Sequence, residues 1–364
     1  MLSFDKTYLD RLAAESGFNR DNLEKVLRLV EILKFFHSHP TLSQALVLKG
    51  GTSINLTVFD MPRLSVDIDL DFNNNCSREE MLTQREAIND LIMRYMASEG
   101  YGLKPSSKSP FSLDSWIFGY TNASGNPDNI KIEINYSDRC HALPSAESPL
   151  SIDILGDATI NTLAPVELFA SKINALVNRG AMRDLYDVNE MIDNNLFCQQ
   201  GEQDLLRRLF VFYHSVGATS KAEDVNLQFT SMPKIESANY AQVRAQLIPV
   251  LRRSDRYDFE QAKRNVLDYL GRFLQFSESE HDFVAHFNRR EYRPEILFCP
   301  GNIAERVINH PMALWKCRPA DALLTTEQRQ KAKLRRKKEG RLAPLRCQPR
   351  YFSSRLSVGL IMPS

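Results

Sequence analysis

Residues 63–72 read Arg63-Leu64-Ser65-Val66-Asp67-Ile68-Asp69-Leu70-Asp71-Phe72, and they alternate. Arg63, Ser65, Asp67, Asp69 and Asp71 fall on one side of an extended chain; Leu64, Val66, Ile68, Leu70 and Phe72 fall on the other. A period of two marks a half-buried strand, here with carboxylates in a row on the polar side. Two carboxylates at i and i+2 repel each other and raise each other's pKa unless something neutralises them. A divalent cation does so, and Mg²⁺ is commonly held by one or two carboxylates together with substrate phosphates. A solvated strand face would show the same spacing, so the aspartates alone decide little.

Their upstream context decides more. The apolar run Ala45 to Leu48 stops at Lys49-Gly50-Gly51-Thr52-Ser53, and the apolar Ile54, Leu56 and Val58 follow. Glycines and hydroxyls before an apolar run predict a turn that opens a helix. Such a turn lets backbone approach a triphosphate, and the first N–H groups of a helix attract its charge. Lys49, Thr52 and Ser53 add donors. A glycine turn ending 14 residues before a carboxylate strand is far more specific than either half. It points to a nucleoside triphosphate site with Asp67 and Asp69 as ligands of Mg²⁺, one ion or two.

Around this centre, residues 21–37 carry Leu23, Val26, Leu27, Val30 and Leu33 at helical spacing. Arg78 to Glu99 is also helical in pattern. Ser115 to Tyr120 and Ile130 to Tyr136 flank a turn-rich segment and read as a hairpin. Pro165 suits the first turn of a helix. Beyond Leu205 strand signals fade, and helices are predicted at 202–215, 238–251, 259–276 and 279–287. The expected class is therefore α+β, with a mixed sheet flanked by helices in residues 1–160, a mostly helical lobe in 161–338 and an irregular tail in 339–364.

The helix that opens the second lobe carries its own signal. At about 100° per residue, Lys172, Arg179 and Arg183 fall within roughly 20° of one another if the helix is continuous through Gly180. A basic stripe beside a carboxylate pair would suit β- and γ-phosphates. Asp187, four residues after Arg183, is either part of that site or an ordinary i, i+4 partner.

The segments LVLKGGTSINL (46–56) and FDMPRLSVDIDLDF (59–72) resemble the signature of the DNA polymerase β-like nucleotidyltransferases, and within them the AbiEii/AbiGii toxin family with its MenT relatives. ELFASKINALVNRGAMRDLYDV (167–188) is similar to that family's downstream motif, a lysine on a helix followed by Arg-Asp-x-x-Asp. The likeness spans about Ala45 to Val188. It implies a polymerase β-like module and a helical second lobe. Gly51 and Ser53 match the family's Gly-Ser turn, Asp67 and Asp69 its metal ligands, and Lys172 its downstream lysine. Asp184 and Asp187 match its last acidic positions. Many such enzymes use a third carboxylate on a neighbouring strand. Glu133 in KIEINYS is the candidate, unless it simply pairs with Lys131. The resemblance further implies an NTP substrate, tRNA 3′ ends or other RNA as acceptor, a block of translation, a role in phage defence and a cognate antitoxin protein.

The rest of the chain narrows the alternatives. A net charge of +1 predicts no polyanionic partner from bulk charge, so RNA contact would need a local patch. Arg252, Arg253 and Arg256, and the run Gln328 to Lys338, are candidates. Six cysteines without a CxxC pair read as free thiols in a reducing compartment. His37, His39 and His141 lack metal-ligand spacing. The sequence shows no signal peptide or spanning segment, so a cytoplasmic protein without a membrane partner is expected. Nucleotidylation of a protein or small molecule, or a nucleotide-binding regulator without turnover, would use the same motifs.

Overall fold

The computed structural model describes residues 4–150, 158–217, 223–298 and 302–318. The basic run Gln328 to Lys338, the segment 339–364, Cys299 and Cys347 lie outside the described residues. A mixed seven-stranded sheet flanked by helices forms the body of the protein, as expected. Its strands are β1 (Leu46–Lys49), β2 (Asp67–Phe72), β3 (Gly102–Leu103), β4 (Leu113–Thr121), β5 (Pro127–Asn135), β6 (Ala146–Pro149) and β7 (Thr159–Thr162). They lie in the order β3-β4-β5-β2-β1-β7-β6. Residue 160, at which the sequence predicts a boundary between two lobes, falls within β7.

β2 occupies the centre, antiparallel to β1 and parallel to β5. Its two faces separate as the alternation requires. On one, Ile68 lies beside Ile132 and Leu70 between Leu48 and Ile134, all buried. On the other, Lys49, Asp69, Glu133 and Ser115 form one row across β1, β2, β5 and β4. The strand is shorter than the alternation from Arg63 predicts. Leu64 donates its N–H to the Val250 carbonyl at 2.8 Å instead of to a neighbouring strand, and Arg63 turns inward and is buried.

The helices follow their capping signals. Asn19 accepts the N–H groups of Asp21 and Asn22 at the start of helix Arg20–Ser38, which buries Leu23, Val26, Leu27, Val30 and Leu33. Ser77 and Glu80 form a capping box for helix Arg78–Ser98. Two predicted helices are broken. The one expected at 238–251 ends at Gln246, and a 3₁₀ turn Ile248–Val250 follows, since Pro249 has no N–H to continue the ladder. The continuous helix through Lys172, Arg179 and Arg183 is also two: Pro165–Arg179 ends with Gly180 left-handed, and Met182–Asp193 begins anew.

Glu167, in the first turn of helix Pro165–Arg179, is fully buried. It accepts the N–H groups of Ala142 at 2.8 Å and Leu143 at 3.1 Å, and the hydroxyl of Tyr213. These bonds tie the loop after β5 to helices Pro165–Arg179 and Gln200–Gly217. Stranding such buried donors costs about 1–3 kcal/mol each. We expect Glu167→Ala to lose at least ~2 kcal/mol in urea unfolding at unchanged m value. An unshifted midpoint would mean that the loop is held by other contacts.

Candidate functional site

After β1 the chain makes one α-helical turn, Gly50–Ser53, and then a π-helical turn, Ile54–Val58. Gly50 is left-handed, with φ +71°, and a Cβ built there would lie 2.6 Å from Asp69 Oδ2. Only glycine lets this backbone lie against that carboxylate. Thr52 donates its hydroxyl to the Asp67 carbonyl and lies 3.0 Å from Ser65 Oγ. Its donor is thus committed to stitching turn to strand. Ser53 is fully buried, and its hydroxyl has no hydrogen-bond partner among the described residues.

Three aspartates share the polar face of β2 but meet different surroundings. Asp67 and Asp69 are half-buried. Burial raises the Asp69 pKa, and Asp67 and Glu133 add to the rise against the opposing pull of Lys49 and Lys172. Asp71 is buried and ion-paired with Lys49. Burial pushes its carboxyl up to about 7 despite that partner. Glu133 accepts Ser115 Oγ at 2.8 Å and Lys131 Nζ at 2.9 Å, so of its two expected roles the lysine pair is formed. Among the described residues no three Asp, Glu, His or Cys side chains converge as a ligand set. The chemistry of Asp67 and Asp69 nevertheless fits Mg²⁺: two hard oxygen donors, one of them desolvated beside like charges, leave most of the coordination sphere to phosphate and water.

The helical side contributes a buried charge cluster. Lys172 Nζ is 3.0 Å from both Asp184 Oδ1 and Asp187 Oδ2. Arg179, across the break at Gly180, clasps Asp184 through Nε at 2.6 Å and Nη2 at 3.0 Å. Lys172 keeps 8% of its side chain exposed, whereas Arg179 keeps 64%, so Arg179 is the cation of this pair that reaches solvent. Arg183 does not pair with Asp187. Its Nε donates to the Gln246 carbonyl at 2.8 Å, and burial lowers its pKa. Asp187 is instead gripped by Arg63, with Nε to Oδ1 at 2.8 Å and Nη2 to Oδ2 at 2.6 Å.

Lys172 and Arg179 both interact electrostatically with Asp69, and Arg183 with Asp67. The fold thus brings the predicted turn, strand and downstream motif to one place. Two members escape sequence reasoning. Asn55 donates to the Gly51 carbonyl at 2.8 Å and lies 3.5 Å from Asp187 Oδ1. Arg63 reads as one more polar residue of the strand; the only available clue is that an arginine placed inside a core demands a carboxylate. The Arg252, Arg253 and Arg256 cluster divides: Arg252 donates to the Met61 carbonyl and covers Phe18, while Arg253 and Arg256 are exposed. His141 is buried, with its pKa depressed to about 3 by burial.

Comparison with known proteins shows the family and the fold. The family described as nucleotidyl transferase AbiEii toxin, type IV toxin–antitoxin system, matches residues 33–265. MenT4, a nucleotidyltransferase toxin from Mycobacterium tuberculosis H37Rv, superposes with a TM-score of 0.57 at 16% identity, over 81% of this chain and 97% of its own; the likeness shows a shared fold. JHP933 from Helicobacter pylori gives a TM-score of 0.43 at 16% identity, over 74% of this chain and 95% of its own. No curated protein sequence matches the chain.

The charge cluster has consequences for stability. Removing one partner of a buried ion pair costs about 3–5 kcal/mol, so Lys172→Ala should lower the melting temperature by several degrees. An unchanged melt would contradict the buried pairing. Burial works to raise the Asp184 pKa, but Lys172 and Arg179 outweigh it and hold the group below its usual value. The resulting stabilisation is present above the unfolded pKa of about 3.9 and is lost as pH falls through the lowered folded value. Acid titration of wild type and Asp184→Asn should therefore show the wild-type advantage shrinking below about pH 4. An advantage that grew on acidification would reverse the assignment.

Proposed function

Because the chain belongs to the nucleotidyl transferase AbiEii toxin family of type IV toxin–antitoxin systems, we propose that it moves a nucleoside monophosphate from an NTP to the 3′ end of tRNA. Translation would then stop, as a phage-defence or growth-control response in the cytoplasm, until the cognate antitoxin counters it. The observation that supports this centre best is how closely Gly50 approaches the Asp69 carboxylate, which leaves no room for a Cβ: the turn suited to phosphates lies beside the strand suited to a metal.

In the proposed reaction an acceptor hydroxyl attacks the α-phosphorus, the bond from that phosphorus to the β-bridging oxygen breaks, and pyrophosphate leaves. Asp67 and Asp69 would hold Mg²⁺, which when bound neutralises phosphate charge and acidifies the attacking hydroxyl. Lys49, Gly50, Gly51 and Ser53 line the phosphate side, where the unpartnered Ser53 hydroxyl is a donor in waiting. Arg179, the solvent-reaching cation, suits the departing pyrophosphate. Lys172 and Arg183 add positive field from behind; Asp184 and Asp187 keep Lys172 in place, Asp184 also holds Arg179, and the Gln246 carbonyl holds Arg183. Glu133 acts on Asp69 through its charge.

Purified protein incubated with Mg²⁺, each labelled NTP and total RNA should label the tRNA band. Asp67→Ala and Asp69→Ala should each lower labelling at least about 100-fold, or ~2.7 kcal/mol, while circular dichroism and melting stay close to wild type. Wild-type rates in both variants would sink the site. Label on protein or on a small molecule would reassign the acceptor. In cells, expression of the wild type should arrest growth and equal expression of Asp67→Ala should not.

A further inference from the structure

Among the described residues, Arg63 is the bulkiest of the fully buried side chains, at 1% exposure. Its Nη1 donates to the Leu64 carbonyl at 3.0 Å, and Nε and Nη2 engage both oxygens of Asp187. The fork reaches across from the loop that leads into β2 to helix Met182–Asp193, a separation of 124 residues in sequence. It also underlies the glycine turn: a Cβ on Gly51 would lie 2.9 Å from Arg63 Nη2 and 3.1 Å from Ser65 Oγ. Asn55 reinforces the same junction by contacting both the Gly51 carbonyl and Asp187. Tyr186 OH lies 3.4 Å from the Pro62 carbonyl beside it.

We propose that Arg63 is the positioning residue of this centre: through Asp187 it sets the glycine turn and the carboxylate strand in register with the helices that carry Lys172 and Asp184. The proposal rests on the nucleotidyl-transfer reading for its kinetic consequences, not for its geometry. Arg63 does not face the substrate. It acts in two directions, through the space it fills under Gly51 and through Asp187, whose Oδ2 it shares with Lys172. Lys172 in turn bears on Asp69. An arginine suits this role because its planar fork meets both carboxylate oxygens and so fixes angle as well as distance, whereas lysine fixes distance alone. Stability by itself is a weak reason to keep such a pair, since apolar replacements of similar volume often serve as well.

The test compares wild type, Arg63→Lys and Arg63→Lys/Asp187→Glu, all assayed well below their melting temperatures. The expected result is a fall in kcat of at least thirtyfold for Arg63→Lys with the NTP KM changed less than threefold. At least fivefold should be regained in the double variant, where the longer carboxylate meets the lysine. Hydrogen exchange should rise together in residues 50–58 and 182–193 of Arg63→Lys. A folded Arg63→Lys enzyme with kcat within threefold of wild type overturns the proposal, as does exchange that rises in neither segment or in only one. If Arg63→Lys does not fold, the neutral pair Arg63→Met/Asp187→Leu replaces it, and full activity there overturns the proposal equally. Should the wild type transfer no nucleotide at all, the functional reading fails, and the exchange data alone decide whether Arg63 couples turn to helix.

Discussion

Where the sheet meets helices Pro165–Arg179 and Met182–Asp193, Arg63 and Lys172 are buried against Asp184 and Asp187, and Arg179 joins Asp184 from the solvent side. Both carboxylates are 1% exposed, so each depends on its cations being present, and each hydrogen bond is stronger for the low polarity around it. These pairs tie the segment that leads into β2 to the two helices. Three cations against two carboxylates leave one positive charge over, directed at the strand that carries Asp69.

That excess complements the sheet. Asp69 sits between Lys49 and Glu133 in one row and carries a raised pKa, because burial and like charges work against its ionised form. The carboxylates of the strand and the cations of the helices act on each other electrostatically. The third aspartate shows how much neighbours matter. Asp71 has the same spacing and the same strand face as Asp69, yet it is sealed under Lys49 and shifted to near neutrality. One contributes to an accessible face, the other to the support beneath it.

Much of the centre was legible because its chemistry is local. Gly50 and Gly51 announced a turn, and the period of two from Asp67 to Phe72 announced a strand with its carboxylates on one side. Pro165 announced a helix start. Resemblance then joined the motif around Lys172 to the same site. Errors arose where a local pattern ran past the point at which distant groups take over. The alternation continues back to Arg63, but Val250 captures the Leu64 N–H. The helical stripe continues to Arg183, but Gly180 turns the chain and Gln246 takes the Arg183 guanidinium. Strands β3, β6 and β7, two to four residues long, are too short to show a period.

By itself, then, the order of residues determined the longer elements, the face of β2 on which its carboxylates stand, and the kind of chemistry that a glycine turn beside them can support. These depend on backbone sterics and on side-chain alternation, which act over a few residues. Only the tertiary structure decided which charges are paired and which stay accessible: that Asp187 belongs to Arg63 rather than Arg183, that Thr52 is committed to Asp67 while Ser53 is not, and that Lys172 is enclosed where Arg179 is open. Burial sets the strength and partner of a charge, and burial is a property of residues brought together from distant parts of the chain.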